Sequence, residues 1–452
     1  MRVLDILGIV VAAAPLGSSR AARDWAAEQG GAPQAVATGV PVRLPAGLAA
    51  FVNGVLAHSL DYDDTHLPSV LHPSASVIPA ALAAAEAVGS SGRDVVAAVA
   101  VGLEVCVRLG MAGYDQESSN STFFEHGQHA TSICGVMGAA VAAALLHGLE
   151  ADGVVHALGL AASMSSGIIE ANRTGGTVKR LHCGWAAQSA LAAAQLVARG
   201  LTGPPTVLEG RFGFFQAWLH GRFEPRAITD GLGEKWEVPS IFFKPYPANH
   251  FTHAAIDAAL AMRQRGIAPH DIIAIELGVP SANLRTVGEP IAVKRAPQTG
   301  YMAKFSGPYA VVAGLLGGDG LGVGLDDYTD ELATDPRRRA LMALVDVEAD
   351  PRCSAIFPRQ FPAVLRVWTR DGRELSEEVL TNRGGPDRPL SFEELARKFR
   401  DNSSRGLPDS DVKALEVACA GLAGLPDVGR LIAPLQRVDP RPVVDAGTAS
   451  QP

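Results

Sequence analysis

The chain has 452 residues, of which 47% are hydrophobic and 19% charged, so its bulk is not disordered and its length predicts two or three domains. The formal net charge is −8, and no stretch concentrates Lys and Arg densely enough to follow a phosphate backbone, which argues against nucleic-acid binding. The five cysteines are an odd number and include no CxxC pair, which argues against a disulfide framework, structural zinc or an iron–sulfur cluster and predicts reduced thiols in the cytoplasm.

The first half of the chain predicts a helical domain. Residues 1–20 predict a buried first helix rather than a signal peptide, because Asp5 interrupts their apolar run. Apolar stretches with helical spacing follow, each bounded by Gly, Pro or Ser, over 76–88, 94–109, 131–147 and 185–199. Several are apolar nearly all round, which favours helices inside a bundle. The run 133–146 is shorter than the ~20 residues that cross a bilayer, so we expect no membrane span.

The sequence changes character near residue 236, where prolines replace the helical period. A helix at 253–265, a strand at 272–280 and a hairpin of 363–370 with 374–381, turning at Asp371-Gly372, predict a smaller α+β domain. Helical spacing returns after 389 and again over 409–436, and a Pro-rich tail follows. The predicted fold class is therefore mainly α: a large helical domain (1–239 and 386–437) with an inserted α+β domain (240–385) and a disordered tail (438–452).

The first candidate site is a polar segment between two apolar stretches. Its residues with functional side chains are His58, Asp61, Asp63, Asp64, Thr65, His66 and His72. Paired carboxylates and imidazoles are what proton-transfer chemistry requires. Carboxylates with His72 could instead hold a divalent cation, and a solvated loop with an Asp helix cap is the third interpretation.

Two more polar segments precede predicted helices. His129 lies at the start of the helix over 131–147, where the helix dipole favours an anion and where Thr131 or Ser132 could cap. His126-x-x-His129 matches a zinc spacing but lacks further defined ligands. In Arg173–Ala187, a Gly175-Gly176 turn and then Lys179, Arg180 and His182 precede a helix expected to begin near Gly184. This segment predicts a carboxylate or phosphate clamp, with a solvated basic turn as the alternative.

The α+β region contributes two further candidates. Lys244 stands between Phe243 and Pro245, followed by His250 and His253 at the start of the next helix. A later segment offers Lys304, Ser306 and Tyr309. Neither segment is specific by itself.

Taken together and in order, these segments resemble the MmgE/PrpD family. The strings that carry the resemblance are LDxxG at Leu4–Gly8, NGxxxHxLDxDDTxxxxxxHPS at Asn53–Ser74, GxHxTS at Gly127–Ser132, KRLHxGxAA at Lys179–Ala187, GLTGPPTVLEGxxGF at Gly200–Phe214, KPYPxxxxxHxxIDA at Lys244–Ala258 and KFSxPY at Lys304–Tyr309. Each string is modest, but the ordered set is specific and spans nearly the whole chain.

The resemblance implies a homodimer of helical domains with inserted lid domains, and an active site between the two domains that uses no organic cofactor or iron–sulfur cluster. We also expect no metal site. It also implies a small anionic di- or tricarboxylate as the substrate, since the family includes 2-methylcitrate dehydratases, cis-aconitate decarboxylases and iminodisuccinate epimerases. The positions implicated in the decarboxylase branch match Asp61, Thr65, His72, His129, Lys179, Lys244 and Tyr309.

Two departures argue against decarboxylation of cis-aconitate. In that branch a histidine stands five residues after the lysine that corresponds to Lys244, whereas this chain has Asn249 there. The loop from Asp61 to His72 is also one residue longer than in that branch. Members of the family also carry a longer segment before the LDxxG helix, so we expect the start of this chain to be shortened or misassigned.

The implied chemistry is proton transfer at a carbon next to a carboxylate. We expect Lys179 and Lys244 to bind substrate carboxylates, with Arg180 as a weaker candidate. His129 and His72 are the expected base and acid, in either order. Asp61 would orient or charge-pair a histidine, and Thr65 and Tyr309 would hydrogen-bond the substrate.

The predicted function is a cofactor-independent hydro-lyase of the 2-methylcitrate dehydratase type. An epimerase or isomerase of an imino- or amino-diacid and a cis-aconitate-type decarboxylase are the enzymatic alternatives. A metal-dependent lyase and a non-catalytic carboxylate-binding protein remain as further alternatives.

Overall fold

A computed structural model describes residues 1–117, 120–171, 176–438 and 440, and the chain divides into two compact units. The first unit comprises residues 1–241 and the segment that begins at Lys398, and the second comprises Phe242–Arg397. The limits predicted for the domains stay predictions. Gly175 and, apart from Val438 and Pro440, the predicted tail lie outside the described residues.

The first unit is built from helices, joined by short irregular segments. Its helices before the unit boundary are α1 (Arg2–Ala13), α2 (Gly17–Gln29), α3 (Ala46–Ala57), α4 (Ser74–Val88), α5 (Gly92–Ala112), α6 (Thr122–Glu125), α7 (Ala130–Leu146), α8 (Ala151–Met164), α9 (Val178–Val197), α10 (Phe214–Leu219) and α11 (Arg226–Thr229). Strands of two residues each lie at β1 (Thr65–His66), β2 (Tyr114–Asp115), β3 (Asn120–Ser121) and β4 (Ile241–Phe242).

The helices that were predicted from apolar spacing form the centre of this unit. α7 packs against α4, α5 and α9, and α9 packs against α3. The small side chains of these helices, mostly Ala and Gly, let their backbones approach closely. α1 is buried along almost its whole length, as predicted, and its Asp5 is paired at 2.7 Å with the buried ammonium of Lys398. The mainly α fold class is confirmed.

One helix among the described residues, α5, is long and apolar enough to cross a membrane, and α1 with α2 would pass the same test as a pair bent by 95°. However, 67% of the apolar window of α5 is buried within the protein. Arg108 on α5 donates to Glu104 at 2.7 Å and to the carbonyl oxygens of Ile228 and Asp230. Such internal satisfaction of a buried charge is typical of a core helix.

The expected start of one helix near Gly184 is wrong, because α9 begins at Val178. No helix-breaking residue stands between 178 and 184, so the helix continues through the basic residues. Gly184 marks a helix crossing instead: a Cβ built on it would stand 2.4 Å from the carbonyl oxygen of Phe51 on α3. Lys179 and His182 therefore project from the first turns of α9.

The second unit combines a four-stranded sheet with helices. The sheet has the order β6 (Val345–Ala349), β5 (Ile272–Val279), β7 (Ala363–Thr369), β8 (Glu374–Val379), with β5 and β6 parallel and the other pairs antiparallel. The predicted strand and hairpin are thus present, and the turn at Gly372 has φ 83°. Its helices are α12 (His253–Gln264), α13 (Leu284–Val287), α14 (Ile291–Lys294), α15 (Gly300–Ala303), α16 (Gly307–Leu316), α17 (Asp330–Thr334), α18 (Pro336–Met342) and α19 (Pro351–Ile356).

The core of the second unit lies between α12, α16 and the sheet. Buried apolar side chains from these elements, such as Ile256, Val312 and Leu365, form one cluster. The last helices of the chain are α20 (Phe392–Ser403), α21 (Asp409–Ala420) and α22 (Gly429–Ile432), which agree with the helical spacing after residue 389.

Candidate active site

Three carboxylates follow one another in the loop between α3 and α4, and each has a different partner. Asp61 lies 3.8 Å from the ammonium of Lys179, Asp63 is 2.8 Å from Nδ1 of His58, and Asp64 contacts Ser74. The DxDD string therefore does not act as one group. Its three side chains join the loop to α9, to the end of α3 and to the start of α4.

The backbone at Asp61 makes this separation possible. Asp61 has φ 55°, in the left-handed region that residues other than glycine rarely adopt. Such strain persists only where the surroundings hold it, and it concentrates at functional sites. The buried carboxylate is thereby directed to Lys179 on the first turn of α9.

Asp64 has a structural position. Its two oxygens accept the main-chain N–H and the hydroxyl of Ser74 at 3.1 and 2.5 Å, which satisfies the start of α4. The guanidinium of Arg2 lies 3.3 Å away. Burial raises the pKa of Asp64 to about 6, although Arg2 and Ser74 oppose the shift. The N-cap residue of α4 is Pro73, so the expected solvated loop with an Asp helix cap is wrong: Asp64 is buried and satisfies the start of α4 from ten residues away.

His58 and Asp63 form a fully buried ion pair. Burial alone would lower the pKa of the imidazole, but the Asp63 carboxylate, with a smaller contribution from Cys183, opposes burial, and together they raise the pKa of His58 to about 10. At neutral pH His58 is therefore a cation. Both side chains are 0% exposed, so water does not screen this charge from its neighbours.

His72 lies at the end of the same loop and is half-buried. Its Nδ1 is 2.6 Å from the carbonyl oxygen of Asp64 and 3.2 Å from the hydroxyl of Thr65. A carbonyl can only accept, so Nδ1 carries the hydrogen and the neutral ring can take a proton at Nε2. Thr65 thus orients His72, whereas its predicted contact with substrate stays a prediction.

His129 is the residue directly before α7, as predicted, and its ring is buried. Its Nδ1 lies 2.8 Å from Nδ1 of His182 on α9, so one of the two rings donates and the other accepts. Burial first, and then the positive charges nearby, lower the pKa of His129 well below its usual value, and burial lowers the pKa of His182 to about 4. Both rings are neutral at pH 7.

The imidazoles of His72, His58, His129 and His182, which we call the histidine cluster, lie in a row in the first unit, with each ring tilted against the next. Ring centroids are separated by 5.4 Å from His72 to His58, by 5.6 Å from His58 to His129 and by 4.9 Å from His129 to His182. A charged imidazole and neutral ones lie side by side. A pair of titratable groups with pKa values driven apart is the usual basis of acid and base assignment.

The polar residues at the start of α7 connect the cluster rather than cap the helix, so the expectation of a cap at Thr131 or Ser132 is wrong. The hydroxyl of Thr131 accepts the main-chain N–H of His72 at 3.2 Å, and the hydroxyl of Ser132 donates to the carbonyl of His182 at 3.1 Å. Gly167 (φ 131°) packs against this turn, where a Cβ would stand 3.3 Å from Cβ of His129. These contacts fix the position of His129.

The two cationic neighbours on α9 point to different places. Lys179 faces Asp61, whereas the guanidinium of Arg180 donates to the hydroxyl of Ser18 at 2.6 Å. The structure therefore brings Lys179, Asp61, His72 and His129 together, and it engages Arg180 in a contact with α2.

The predicted residues of the second unit are all buried. Lys244 is 0% exposed and follows β4, and Lys304 follows α15 with its ammonium 5.9 Å from the ring of Tyr328. The hydroxyl of Tyr309 donates to the carbonyl of Asp327 at 2.5 Å and accepts from Arg338 at 3.3 Å. Their predicted roles towards a substrate stay predictions.

Asn249, which replaces the histidine of the decarboxylase branch, has a local structural role. Its side-chain oxygen accepts the N–H of Phe251 at 3.1 Å and caps the short helical turn His250–Thr252. Asn is a preferred residue at the start of a helical turn, so its choice here has a structural reason in this chain.

Among the described residues, no group of three or more His, Cys, Asp or Glu side chains is arranged to hold a metal ion. The zinc-like spacing of His126 and His129 has another explanation in the structure. His126 contacts the carbonyl oxygen of Trp218 and the guanidinium of Arg222, whereas His129 contacts His182. The two rings serve different neighbours.

The sequence placed His58, Asp63 and His182 in candidate segments but assigned none of them a role in the site. All three lie within strings that carry the family resemblance, but their roles depend on the crossing of α3 and α9. At that crossing a Cβ built on Gly54 would stand 2.8 Å from Cα of Gly184. The glycines four residues before His58 and two residues after His182 are the sequence signal that could have indicated that the two histidines lie close together.

Comparison with known protein families identifies the family of the chain. The family model for the MmgE/PrpD N-terminal domain matches residues 1–226, and that for the MmgE/PrpD C-terminal domain matches residues 246–422. The chain therefore belongs to the MmgE/PrpD family, and the resemblance seen in its ordered motifs is confirmed.

Similar proteins include two of the three kinds of enzyme that the motifs suggested. The chain is 32% identical to cis-aconitate decarboxylase of Homo sapiens over 420 residues, covering 90% of this chain and 83% of that protein. It is 25% identical to cis-aconitate decarboxylase of Aspergillus terreus over 410 residues, covering 85% and 80%. It is 27% identical to 2-methylcitrate dehydratase of Cupriavidus necator over 408 residues, covering 83% and 79%.

Proposed function

We propose that the protein is a lyase that acts on a small di- or tricarboxylate by proton transfer at the carbon next to a carboxylate, and that its reaction is a dehydration of the 2-methylcitrate dehydratase type. The enzyme class rests on the relatives, which are decarboxylases and dehydratases. The observation that carries the reaction is the histidine cluster, in which the neutral His129 lies 5.6 Å from the cationic His58.

His129 is the proposed base. A carbon-bound proton next to a carboxylate is weakly acidic, so the base must be unprotonated, and the lowered pKa of His129 keeps it so at neutral pH. To accept the proton at Nε2, His129 must carry hydrogen on Nδ1 and donate it to Nδ1 of His182, 2.8 Å away. His182 thereby selects the tautomer, much as an orienting residue does in other acid–base sites.

Lys179 is the proposed binding residue for the substrate carboxylate. As the proton leaves, negative charge spreads from the carbon onto that carboxylate, so a cation placed there stabilises the transition state more than the ground state. Nζ of Lys179 lies 3.8 Å from the carboxylate of Asp61, which is a long distance for an ion pair. The ammonium can therefore also bind an incoming substrate carboxylate. Asp61 then holds the ammonium in place.

His72 is the proposed acid. It is the least buried residue of the cluster, and its Nδ1 is fixed by the Asp64 carbonyl, which leaves Nε2 to deliver a proton to the departing hydroxyl. The balance is one C–H and one C–O bond broken, one C=C bond formed and one water released. Lys244 and Tyr309 remain candidate substrate contacts of the second unit.

Decarboxylation of cis-aconitate is the second candidate, favoured by the 32% identity to the human decarboxylase. Two features favour dehydration over it. Decarboxylation starts with loss of CO₂ and then requires a proton donor. An unprotonated base such as His129 therefore has no part in its first step. In addition, the position of a branch histidine is occupied by the capping residue Asn249. Epimerisation of a diacid would also use the neutral base.

One assay separates these reactions. The purified enzyme is incubated with 2-methylcitrate, citrate, cis-aconitate and an amino- or imino-diacid, while C=C absorbance, CO₂ release and incorporation of solvent deuterium are followed. We expect a new C=C bond from 2-methylcitrate or citrate, no CO₂, and loss of the reaction in His129→Asn. Release of CO₂ from cis-aconitate would support the second candidate, and melting shifts without any turnover would support a binding protein.

We also propose a cytoplasmic location and a homodimer. All five cysteines are buried thiols, which suits a reducing compartment. Val178, Leu181 and Trp185 lie on one face of α9 and are 40–44% exposed, which suits contact with a second copy. Light scattering of the purified protein tests the dimer.

A further inference from the structure

We propose that Asp63 is a positioning residue that acts through His58: it holds His58 as a cation in the middle of the histidine cluster, and this fixed charge keeps His129 a neutral base that releases its proton readily after turnover. This inference rests on the proposed function, because it assigns a role within the same reaction. It adds two residues, Asp63 and His58, to a site that the motifs placed on Asp61, His72 and His129.

The ion pair itself is the first support. Oδ2 of Asp63 lies 2.8 Å from Nδ1 of His58, and both side chains are 0% exposed. A buried imidazole without a carboxylate would be neutral, because burial penalises the charged form. Cys183 on α9 also favours the charged ring, but Asp63 is the larger contribution, so the cation depends mainly on an ionised Asp63.

The position of His58 is the second support. Its ring lies between His72 and His129, with centroid distances of 5.4 and 5.6 Å. A charge at this distance within a buried cluster changes the pKa of a neighbouring ring by about 1–3 units. Apart from burial, His58 is the largest of the charges that lower the pKa of His129, ahead of His182, Lys179 and His72.

The other charged and titratable groups around His58 do not take over this role. The loop contributes Asp63 and His72, α7 contributes His129, and α9 contributes Cys183, His182 and Lys179. Lys179 is paired with Asp61, and His182 is neutral at pH 7. His58 is therefore the buried cation next to the base.

The two neighbouring carboxylates provide a comparison within one loop. Asp61 faces Lys179, and Asp64 satisfies the start of α4. Removing the charge of either changes a different contact, so a pH effect through His58 is specific to Asp63.

Asp63→Asn keeps the shape of the side chain and removes its charge. His58 then loses its proton at neutral pH, its repulsion of a protonated His129 disappears, and the pKa of His129 rises. We expect the acidic limb of the kcat/KM profile to move to higher pH by about 1–2 units. Asp63→Glu retains the charge, so it should largely restore the wild-type profile. A merely structural role for Asp63 would lower the rate equally at every pH.

The experiment combines kinetics with imidazole ¹⁵N NMR of the unliganded enzyme. Wild type, Asp63→Asn, Asp63→Glu and the control Glu86→Gln, a buried carboxylate outside the cluster, are compared from pH 4.5 to 9. We expect His58 to be protonated at pH 8 in wild type and neutral in Asp63→Asn, and only Asp63→Asn to move the acidic limb. A neutral His58 in wild type at pH 8, or an unmoved limb in Asp63→Asn, would overturn the inference.

The NMR measurement needs no substrate, which separates this inference from the proposed function. If no polycarboxylate is turned over, the proposed function fails while the charge of His58 is still decided. If Asp63→Asn does not fold, the wild-type titration of His58 alone decides the inference.

Discussion

Gly54 on α3 and Gly184 on α9 meet at the crossing of the two helices, with no room for a side chain on either. A Cβ on Gly54 would stand 2.8 Å from both the carbonyl oxygen of Cys183 and Cα of Gly184, and a Cβ on Gly184 would stand 2.4 Å from the carbonyl oxygen of Phe51. Because His58 ends α3 and His182 lies on α9, this close approach sets the spacing of the histidine cluster.

Gly184→Ala should therefore separate the two helices and weaken both the fold and the activity. Overpacking of this kind lowers the free energy of unfolding by about 1–3 kcal/mol, and displacing a site by about 1 Å lowers rates by up to 10²-fold. Urea unfolding and kcat/KM on the identified substrate measure the two effects.

Gly47→Ala is the matched control. Gly47 lies on α3, as Gly54 does, and also faces α9, but a Cβ on Gly47 would stand 3.7 Å from Gln188, which is an ordinary contact distance. This variant should be as stable and as active as wild type. Equal behaviour of the two variants would show that the crossing does not hold the site.

Periodicity in the sequence predicted α4, α5 and α7 to within a few residues, because each is a long apolar stretch between Gly, Pro or Ser. It failed at α9, since a glycine that ends a helix and a glycine that lets two helices touch are the same letter in the sequence. It also missed β6, a strand of only five residues whose pairing with β5 joins distant parts of the chain.

The candidate site was predictable as far as residue types and order indicate chemistry. His129 before α7, and the carboxylates before His72, follow from polar residues between buried helices. The partners of Asp61, Asp63 and Asp64 could not be predicted, because they depend on the left-handed backbone at Asp61 and on the position of α9. The charge of His58 likewise depends on burial and distance rather than on sequence.

Lys179→Met should lower kcat/KM by about 10²–10³-fold, because the cation proposed for the substrate carboxylate is lost while the apolar part of the side chain is kept. Arg180→Met is the control on the neighbouring position. Its guanidinium contacts Ser18, so we expect its kcat/KM to stay within a few-fold of wild type. Steady-state kinetics on both variants shows which of the two residues binds the substrate carboxylate. A larger loss of kcat/KM in Arg180→Met would assign that role to Arg180.

Tyr309→Phe should lower the free energy of unfolding by about 1–3 kcal/mol, because the carbonyl of Asp327 and the guanidinium of Arg338 lose the hydroxyl that satisfies them. Tyr328→Phe is the control: its ring lies 5.3 Å from that of Tyr309, and its buried hydroxyl has no hydrogen-bond partner among the described residues, so removal should be neutral or stabilising. Thermal unfolding measures both. Loss of activity in Tyr309→Phe without loss of stability would support the contact with substrate that the resemblance implies.

Glu86→Gln should change how the stability of the protein depends on pH. The Glu86 side chain is 1% exposed, accepts the N–H of Val36 at 2.7 Å and lies 3.1 Å from Arg43, and burial raises the pKa of Glu86 to about 7 in spite of both partners. The folded state thus holds this proton more tightly than the unfolded chain, whose glutamate titrates near 4.5. The stabilisation is complete below pH 4.5 and is lost as the pH rises through about 7.

A glutamine at position 86 still accepts the N–H of Val36 but does not titrate, so the variant does not lose stability in this way. Its stability relative to wild type should therefore rise by on the order of 2–3 kcal/mol between pH 4.5 and 8. Urea unfolding at both pH values tests this, with Arg43→Met as the second variant, since removal of the cation should extend the loss to higher pH. Parallel stability curves for wild type and Glu86→Gln would mean that Glu86 is ionised throughout this range.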